Sequence, residues 1–271
     1  MQEDSGISSG VQVRVEGAVC HLTLMRPERS NRLDWAMQLA LLRAVREAAQ
    51  WSDCRLLVLQ GQGADFCAGD CAPDMGDWPD EYRHRRPQGT HGAPPLPLLD
   101  LLAELRSLSV PTLAVLQGDV ADAGLDIASH CDIRLAAAGA RFADRRVANA
   151  RFVDSGLTYV LPRLIGQSRA TKLMLLGETM DGAEAERIGL VYRAVPDAAL
   201  QAAAAELAAR LAALATRSYA LVKQQILDQL DLSYRASLMH SMAVRQTNVI
   251  EDRAEGQRAL MERRAPRYVG R

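Results

Sequence analysis

Two stretches of the chain combine acidic side chains with glycine and other small residues, directly after an apolar run. In residues 117–132, Asp122 and Asp126 lie four positions apart. The apolar residues 111–116 precede this stretch and helical periodicity begins near Ala123, so the pattern predicts a buried strand that leads into a helix N-terminus. Backbone N–H groups at such an N-terminus carry partial positive charge and suit an anion or a developing oxyanion.

The second stretch repeats this arrangement earlier in the chain. Residues 56–60 are strand-like and run into a glycine-rich turn over residues 61–70. Each strand end could therefore offer a backbone N–H group to one carbonyl oxygen, forming an oxyanion hole worth about 3 to 4 kcal/mol per donor. The structural alternative is that Asp122 caps the helix and Asp126 is a solvated acid in its first turn.

The remaining periodicity predicts the elements that position these stretches. A hairpin over residues 11–15 and 20–25, and a helix from the N-cap Asp34 to Gln50, come first. Residues 73–97 are rich in proline and predict a loop over the site or a disordered insertion. The other predicted elements are a helix over 98–108, a strand over 133–136, an irregular basic segment over 142–152, helices over 155–166, 170–176 and 182–187, a strand over 190–194, and tail helices over 198–215, 217–230 and 233–264.

Length, charge and hydropathy exclude several function classes. The 271 residues carry a formal net charge of −1, and without a basic excess neither nucleic acid nor an anionic membrane is an expected partner. No apolar run approaches the roughly 20 residues that span a bilayer, and the polar start of the chain lacks the pattern of a signal peptide. The sequence therefore predicts a soluble, cytoplasmic protein.

The five cysteines predict reduced thiols, because their number is odd and most lie in strand-like or core-like sequence. Cys67 and Cys71 have a spacing that occurs in some metal sites, but no second ligand pair follows them. No metal site is predicted.

Six short motifs, in the right order, carry a resemblance to a known family. They are LMRPERSN at 24–31, FCAGD at 66–70, Gly118 with AGL at 123–125, CDI at 131–133, DSGLT at 154–158 with LPRLIG at 161–166, and AEA at 183–185 with IGLV at 188–191. Over residues 11–270 the chain resembles the crotonase (enoyl-CoA hydratase and isomerase) superfamily. The resemblance implies an α/β fold, a spiral of strand-strand-helix turns with a C-terminal helical extension.

The same resemblance implies an organisation and an assembly. Residues 1–10 would be a disordered tail, residues 11–197 the spiral core, and residues 198–271 a helical region used for trimerisation. Members of the superfamily are usually trimers or pairs of trimers, so a homotrimer or hexamer is expected.

The resemblance also implies a substrate and a binding site. The substrate would be an acyl thioester of coenzyme A or of carrier-protein phosphopantetheine, with no other cofactor. The backbone N–H groups of Asp70 and Ala123 would form the oxyanion hole, and Ala68 to Ala72 would line the adenine and pantetheine path. Arg26 and Arg29 stand where the family often places cations near the pyrophosphate, with a surface role as the alternative.

Two departures from the family pattern bear on the chemistry. Asp122 and Ala123 stand where the family often has consecutive glycines, and a left-handed conformation would be disfavoured at Ala123. Hydratases carry two glutamates, one to activate water and one to supply a proton. Here these positions hold Asp126 and Arg146, and an arginine cannot act as a general acid or base near neutral pH.

Arg146 and Asp154 each have two interpretations. The Arg146 guanidinium could hold a substrate carboxylate in a bidentate pair, or it could neutralise Asp126 or Asp144 as a structural ion pair. Asp154 lies where dehalogenase-like members carry a nucleophilic aspartate, or it could be the N-cap of the next helix.

The sequence thus predicts an enzyme that stabilises a thioester enolate, with Asp126 as the acid/base group and Arg146 steering the substrate. Hydration, dehydration or isomerisation of an enoyl thioester is the predicted reaction. The alternatives are decarboxylation of a β-carboxylated acyl thioester, a thioester-binding protein without turnover, and a hydrolase or dehalogenase that uses Asp154 as nucleophile.

Overall fold

A computed structural model describes residues 7–85 and 97–271 of the chain. Residues 1–6 of the predicted tail and residues 86–96 of the predicted loop over 73–97 lie outside the described residues. The strands are β1 (Ile7–Ser8), β2 (Val11–Glu16), β3 (Val19–Leu24), β4 (Leu56–Gly61), β5 (Thr112–Leu116), β6 (Asp119–Ala121), β7 (Ile133–Ala137), β8 (Arg141–Ala143), β9 (Met180–Asp181) and β10 (Arg193–Val195).

Most of these strands form one sheet, in the order β1, β2, β3, β4, β5, β7, β10. Strands β1 to β3 pair antiparallel, and β3, β4, β5, β7 and β10 pair parallel. Strands β4 and β5 are buried along almost their whole length, as expected where a parallel sheet is covered on both faces. A second, smaller sheet holds β6, β8 and β9.

Helices surround the large sheet and continue to the C-terminus. They are α1 (Trp35–Gln50), α2 (Pro97–Ser107), α3 (Ala123–His130), α4 (Leu157–Ile165), α5 (Gln167–Leu176), α6 (Gly182–Arg187), α7 (Leu200–Ala212), α8 (Thr216–Asp228), α9 (Tyr234–Thr247) and α10 (Asp252–Glu262). Short 3₁₀ helices cover Pro27–Arg29, Asp80–Arg85, Val147–Asn149 and Asp197–Ala199. The α/β class and the C-terminal helical extension are therefore confirmed.

Helix α1 shows how local sequence sets an element. The side chain of Asp34 accepts a 2.8 Å hydrogen bond from the Met37 N–H, which is the predicted N-cap. Leu41, Leu42 and Val45 are fully buried, and α1 packs against α2. The helix is held by burial of this apolar face.

The structure corrects three boundaries. Ile7–Ser8 pairs with β2, so part of the predicted disordered tail is a strand. The predicted tail helix over 233–264 is two helices, α9 and α10, separated by residues 248–251. The predicted irregular segment contains strand β8, whose pairing partners β6 and β9 are distant in sequence and give no local signal.

Among residues 7–85 and 97–271, no single helix is long and apolar enough to cross a membrane. The helical segments Asp197–Ala212 and Thr216–Asp228 meet the length and composition criterion only when taken together, and the chain bends by 97° between them. The same residues contain no group of three or more His, Cys, Asp or Glu side chains that could hold a metal ion.

Candidate functional site

The two glycine-containing stretches lie side by side. A parallel bridge joins Cys67 to Val120: the Cys67 N–H donates to the Asp119 carbonyl and the Ala121 N–H donates to the Cys67 carbonyl, both at 3.0 Å. Asp70 follows Cys67 by three residues and Ala123 follows Val120 by three residues. The two predicted oxyanion donors therefore stand at matching positions on neighbouring segments.

Gly124 permits this close approach. A Cβ atom at Gly124 would lie 2.2 Å from the Cys67 carbonyl oxygen, so only glycine fits between the start of α3 and the turn that holds Cys67. Within the described part of the chain, neither the Asp70 N–H nor the Ala123 N–H has a hydrogen-bond acceptor. Both donors are therefore available to a ligand.

The backbone strain expected at Ala123 falls on Asp122 instead. Ala123 is the first residue of α3, whereas Asp122 has φ 48° and ψ −114°. Asp122 occupies the N-cap position, but its side chain makes no capping bond; its Oδ1 accepts a 2.6 Å hydrogen bond from the Arg145 N–H. Burial raises the pKa of the Asp122 carboxyl, that hydrogen bond lowers it, and the nearby Asp144 charge raises it further.

Asp126, Asp144 and Arg146 form a buried ion cluster. Arg146 Nη1 lies 2.9 Å from Asp126 Oδ2 and Nη2 lies 2.9 Å from Asp126 Oδ1. Arg146 also donates to Asp144, from Nε at 3.1 Å and from Nη2 at 2.8 Å, and Nη1 donates to Ser155 Oγ at 3.3 Å. The side chains of Asp126 and Asp144 have no exposed surface and that of Arg146 is 3% exposed.

This cluster corrects two predicted roles. A guanidinium has five N–H donors, and the contacts to Asp126, Asp144 and Ser155 engage all of them, so Arg146 has no donor left for a substrate carboxylate. Arg146 fits the alternative interpretation, a structural ion pair. Asp126 is fully buried with both oxygens on Arg146, so it is not placed to exchange protons with a ligand.

Burial raises the pKa of Asp126 to about 6, against the lowering effect of the Arg146 charge and hydrogen bonds. Burial also lowers the pKa of Arg146, but the hydrogen bond to Asp144 and the charge of Asp126 outweigh it and hold that pKa above its ordinary value. Its two aspartate partners therefore favour the charged form of Arg146.

A cavity of about 550 Å³ opens beside Asp70 and beside Asp122, the residue that precedes Ala123. It is lined by Arg32, Ala68, Asp70, Ala72, Pro73, Asp122, Arg145, Asn149 and Arg151. Ala68, Asp70 and Ala72, three residues predicted to line the coenzyme path, are thus brought to one cavity. Its volume and its mixture of cations and small residues suit a ligand with anionic groups.

Two residues that line this cavity, Asp70 and Arg151, form an ion pair. Arg151 Nη1 lies 2.9 Å from Asp70 Oδ1 and Nη2 lies 2.5 Å from Asp70 Oδ2, while the Ala72 N–H donates to Asp70 Oδ1 at 3.0 Å. Burial raises the pKa of Asp70, but the hydrogen bonds from Arg151 and Ala72 bring it below its ordinary value. The side chain of Asp70 is therefore an anion paired with Arg151, which also lines the cavity.

The other predicted site residues lie outside this cavity lining. Arg26 pairs with Asp34 and also donates to the Ser9 carbonyl at 3.3 Å. Arg29 is exposed, with Nη1 3.9 Å from Asp74. Asp154 is exposed and is not an N-cap, because α4 begins after Gly156 without a side-chain cap, which corrects that interpretation.

Sequence reasoning assigned no function to several residues that the fold brings together. Ser155 completes the ion cluster, in which the sequence indicates Asp144 only as an alternative partner of Arg146, and Arg145 and Arg151 line the cavity. The available signal was the density of arginines after residue 140, which contains no information about their partners.

Comparison with known proteins gives consistent results. The family description "Enoyl-CoA hydratase/isomerase" matches residues 14–271. The chain is similar to a probable enoyl-CoA hydratase of Mycobacterium tuberculosis, with 34% identity over 93% of this chain and 89% of the relative. It is also similar to the 1,2-epoxyphenylacetyl-CoA isomerase of Escherichia coli, with 31% identity over 95% and 97% of the two chains.

Solved structures show the same fold. A putative enoyl-CoA hydratase from Streptomyces coelicolor superposes with a TM-score of 0.84 and 29% identity, covering 97% of this chain and 94% of that chain. An enoyl-CoA hydratase from Bacillus anthracis superposes with a TM-score of 0.85 and 26% identity, covering 97% and 100%.

Proposed function

The chain belongs to the enoyl-CoA hydratase/isomerase family, and we propose that it is a member that isomerises its acyl-CoA thioester by proton transfer rather than hydrating it with a pair of glutamates. The thioester carbonyl binds between the N–H groups of Asp70 and Ala123, which stabilise the enolate. The coenzyme passes Ala68 and Ala72 along the cavity.

One observation carries the choice of reaction. The two positions that bear glutamates in hydratases hold Asp126 and Arg146, and these side chains neutralise each other in a fully buried pair. Activation of water by one carboxylate and protonation by a second has no equivalent there. The enolate requires only the two backbone donors and a single base. The similarity to a relative named as an isomerase supports the same choice.

The test is isotope incorporation. The protein is incubated in deuterium oxide enriched in oxygen-18 with a panel of acyl-CoA thioesters: enoyl, 3-hydroxyacyl, β-carboxylated and aryl-substituted. Mass spectrometry then measures the deuterium and oxygen-18 content of the products. We expect deuterium at the α-carbon or γ-carbon without oxygen-18 at the β-carbon. Oxygen-18 at the β-carbon would identify a hydratase and overturn the proposal. Binding of coenzyme A without any exchange would favour a thioester-binding protein.

The nucleophilic role of Asp154 and the oligomeric state of the protein stay predictions. A covalent acyl adduct on Asp154 in a quenched reaction would support the hydrolase or dehalogenase alternative. Assembly as a trimer or hexamer is supported by apolar side chains that α8 and α9 leave exposed, namely Val222, Ile226, Leu238, Met239 and Met242. Sedimentation velocity measures that assembly directly.

A further inference from the structure

Asp122 holds a backbone conformation that side chains rarely adopt. Its φ of 48° and ψ of −114° lie in a region where glycine is favoured, because a Cβ atom there is crowded by the backbone. Such strain persists only where the surroundings impose it, and it concentrates at functional sites. A glycine would fit this turn without strain. The feature that aspartate provides at this position, and glycine does not, is a carboxylate.

One carboxylate oxygen is anchored and the other is free. Oδ1 accepts the 2.6 Å hydrogen bond from the Arg145 N–H. Within residues 7–85 and 97–271, Oδ2 has no hydrogen-bond donor, and Asp122 lines the cavity. A fixed carboxylate with one oxygen open to a ligand cavity has the geometry of a base that can accept a proton.

The free oxygen stands beside both candidate oxyanion donors. Asp122 directly precedes Ala123, and a Cβ atom on Gly69, the residue before Asp70, would lie 3.1 Å from Asp122 Oδ2. The α-carbon of a thioester is bonded to its carbonyl carbon. A base that removes an α-proton must therefore stand next to the groups that hold the carbonyl oxygen.

We propose that Asp122 is the catalytic base that moves the proton of the acyl thioester. This inference rests on the proposed function. In a β,γ-unsaturated acyl thioester, the Asp122 carboxylate takes the α-proton, and the electron pair of the broken C–H bond delocalises through the carbonyl and the β,γ double bond as a dienolate, whose oxygen is held by the Asp70 and Ala123 N–H groups. The enolate reprotonates at the γ-carbon from the same carboxyl group. The double bond moves by one position, and no water, oxidant or reductant is consumed.

The charged groups around Asp122 affect how readily its carboxylate accepts a proton. Burial and the negative charges of Asp144, which follows β8, and of Asp70 raise the pKa of Asp122 and strengthen the base, whereas Arg146 favours the ionised form. The Asp122 charge also helps to raise the pKa of Arg151, after the hydrogen bond and the charge of Asp70. The rate should fall as pH falls through the raised pKa of Asp122, because only the carboxylate accepts a proton.

Two variants separate a catalytic role from a structural one. Asp122→Asn keeps an oxygen that can accept from the Arg145 N–H but is not basic, and Asp122→Gly relieves the strained backbone. We expect both to lose deuterium exchange into the acyl chain by about 10²- to 10⁴-fold. Coenzyme A affinity and the unfolding midpoint should not fall, and Asp122→Gly should unfold at a higher temperature than the wild type. Asp53→Asn, an exposed aspartate in a distant turn, is the control.

Chemical rescue completes the test. Formate can enter the space left by Asp122→Gly, so added formate should restore exchange in that variant and not in Asp122→Asn. Wild-type rates of exchange in either variant, or loss of coenzyme A binding together with exchange, would overturn the assignment of Asp122. Absence of exchange in the wild type with every thioester would instead refute the proposed function itself, so the two failures are distinguishable.

Discussion

Arg146 donates two parallel hydrogen bonds to Asp126, from Nη1 to Oδ2 and from Nη2 to Oδ1, each 2.9 Å long. The pair joins α3 to the segment that follows β8, and the remaining donors of the guanidinium reach Asp144 and Ser155. Asp126 and Arg146 therefore cross-link two elements of the fold. In the proposed function the reactive carboxylate lies elsewhere, and among the described residues that line the cavity the carboxylates are those of Asp122 and Asp70.

Replacement of Arg146 should destabilise the fold severely. Arg146→Met leaves Asp126 and Asp144 buried without a counter-charge, and we expect a loss of about 3 to 5 kcal/mol in the free energy of unfolding, measured by urea denaturation. The matched control is Arg187→Met, which removes an equally bidentate but exposed pair with Glu184 and should leave the midpoint unchanged. An equal change in the free energy of unfolding for the two variants would show that the cluster is solvated.

The Asp70 to Arg151 pair predicts a pH-dependent contribution to stability. Because the folded state lowers the pKa of Asp70, the unfolded chain binds the proton first as pH falls. The pair therefore stabilises the protein above about pH 4, the ordinary range of an aspartate, and this stabilisation is lost as pH falls through the lower folded pKa.

The variant that tests this is Arg151→Gln. Since Arg151 is 42% exposed, solvent screening limits the expected difference from the wild type to about 0.5 to 1 kcal/mol at pH 7. Urea denaturation at pH 7 and at pH 3 should show the difference shrinking at the lower pH. Arg14→Gln, which loses an exposed pair with Glu16, controls for the removal of one positive charge. A difference that grows at pH 3 would contradict the assignment.

Thiol reactivity should single out Cys71. Burial raises the pKa of Cys20, Cys67 and Cys131 to about 12 and that of Cys54 to about 11. Burial also raises the pKa of Cys71, but Cys71 is partly exposed whereas the other four thiols are buried. Ellman's reagent should therefore modify one thiol rapidly in the native protein, and Cys71→Ser should abolish that phase. Desulfo-coenzyme A should slow it, because Asp70 and Ala72, on either side of Cys71, line the cavity. Rapid modification of several thiols would contradict the burial of the others.

Gly124→Ala should disturb the site through its backbone. The added methyl group would lie 2.2 Å from the Cys67 carbonyl oxygen and 2.8 Å from the Cys67 Cβ, so α3 must move away from the neighbouring turn. We expect a loss of about 1 to 3 kcal/mol in unfolding free energy, together with weaker acyl-CoA binding. In Gly256→Ala within α10, the added methyl group meets only the flexible end of Tyr268, and the thermal unfolding midpoint of this variant should not fall below that of the wild type.

Local sequence determined most of the architecture. The apolar runs that became β4 and β5, the amphipathic α1 with its Asp34 cap, and the six ordered motifs each depend on residues close together in the chain. Their hydrophobic period and turn chemistry could be read directly. The same local patterns predicted a free N–H group at the end of each strand, and the family resemblance assigned these two donors to Asp70 and Ala123.

Only the tertiary structure decided which charged side chains pair with each other and which side chains are exposed. Asp126 and Arg146 are 20 residues apart, and whether they serve a substrate or each other depends on how α3 packs against the segment after β8. The ionisation of Asp126 depends on complete burial, which one sequence does not reveal. The strain at Asp122 arises because neighbouring segments hold its backbone at φ 48°, a constraint imposed by contacts distant in sequence. Charge and geometry at this site are therefore properties of long-range packing, whereas the fold follows from short-range pattern.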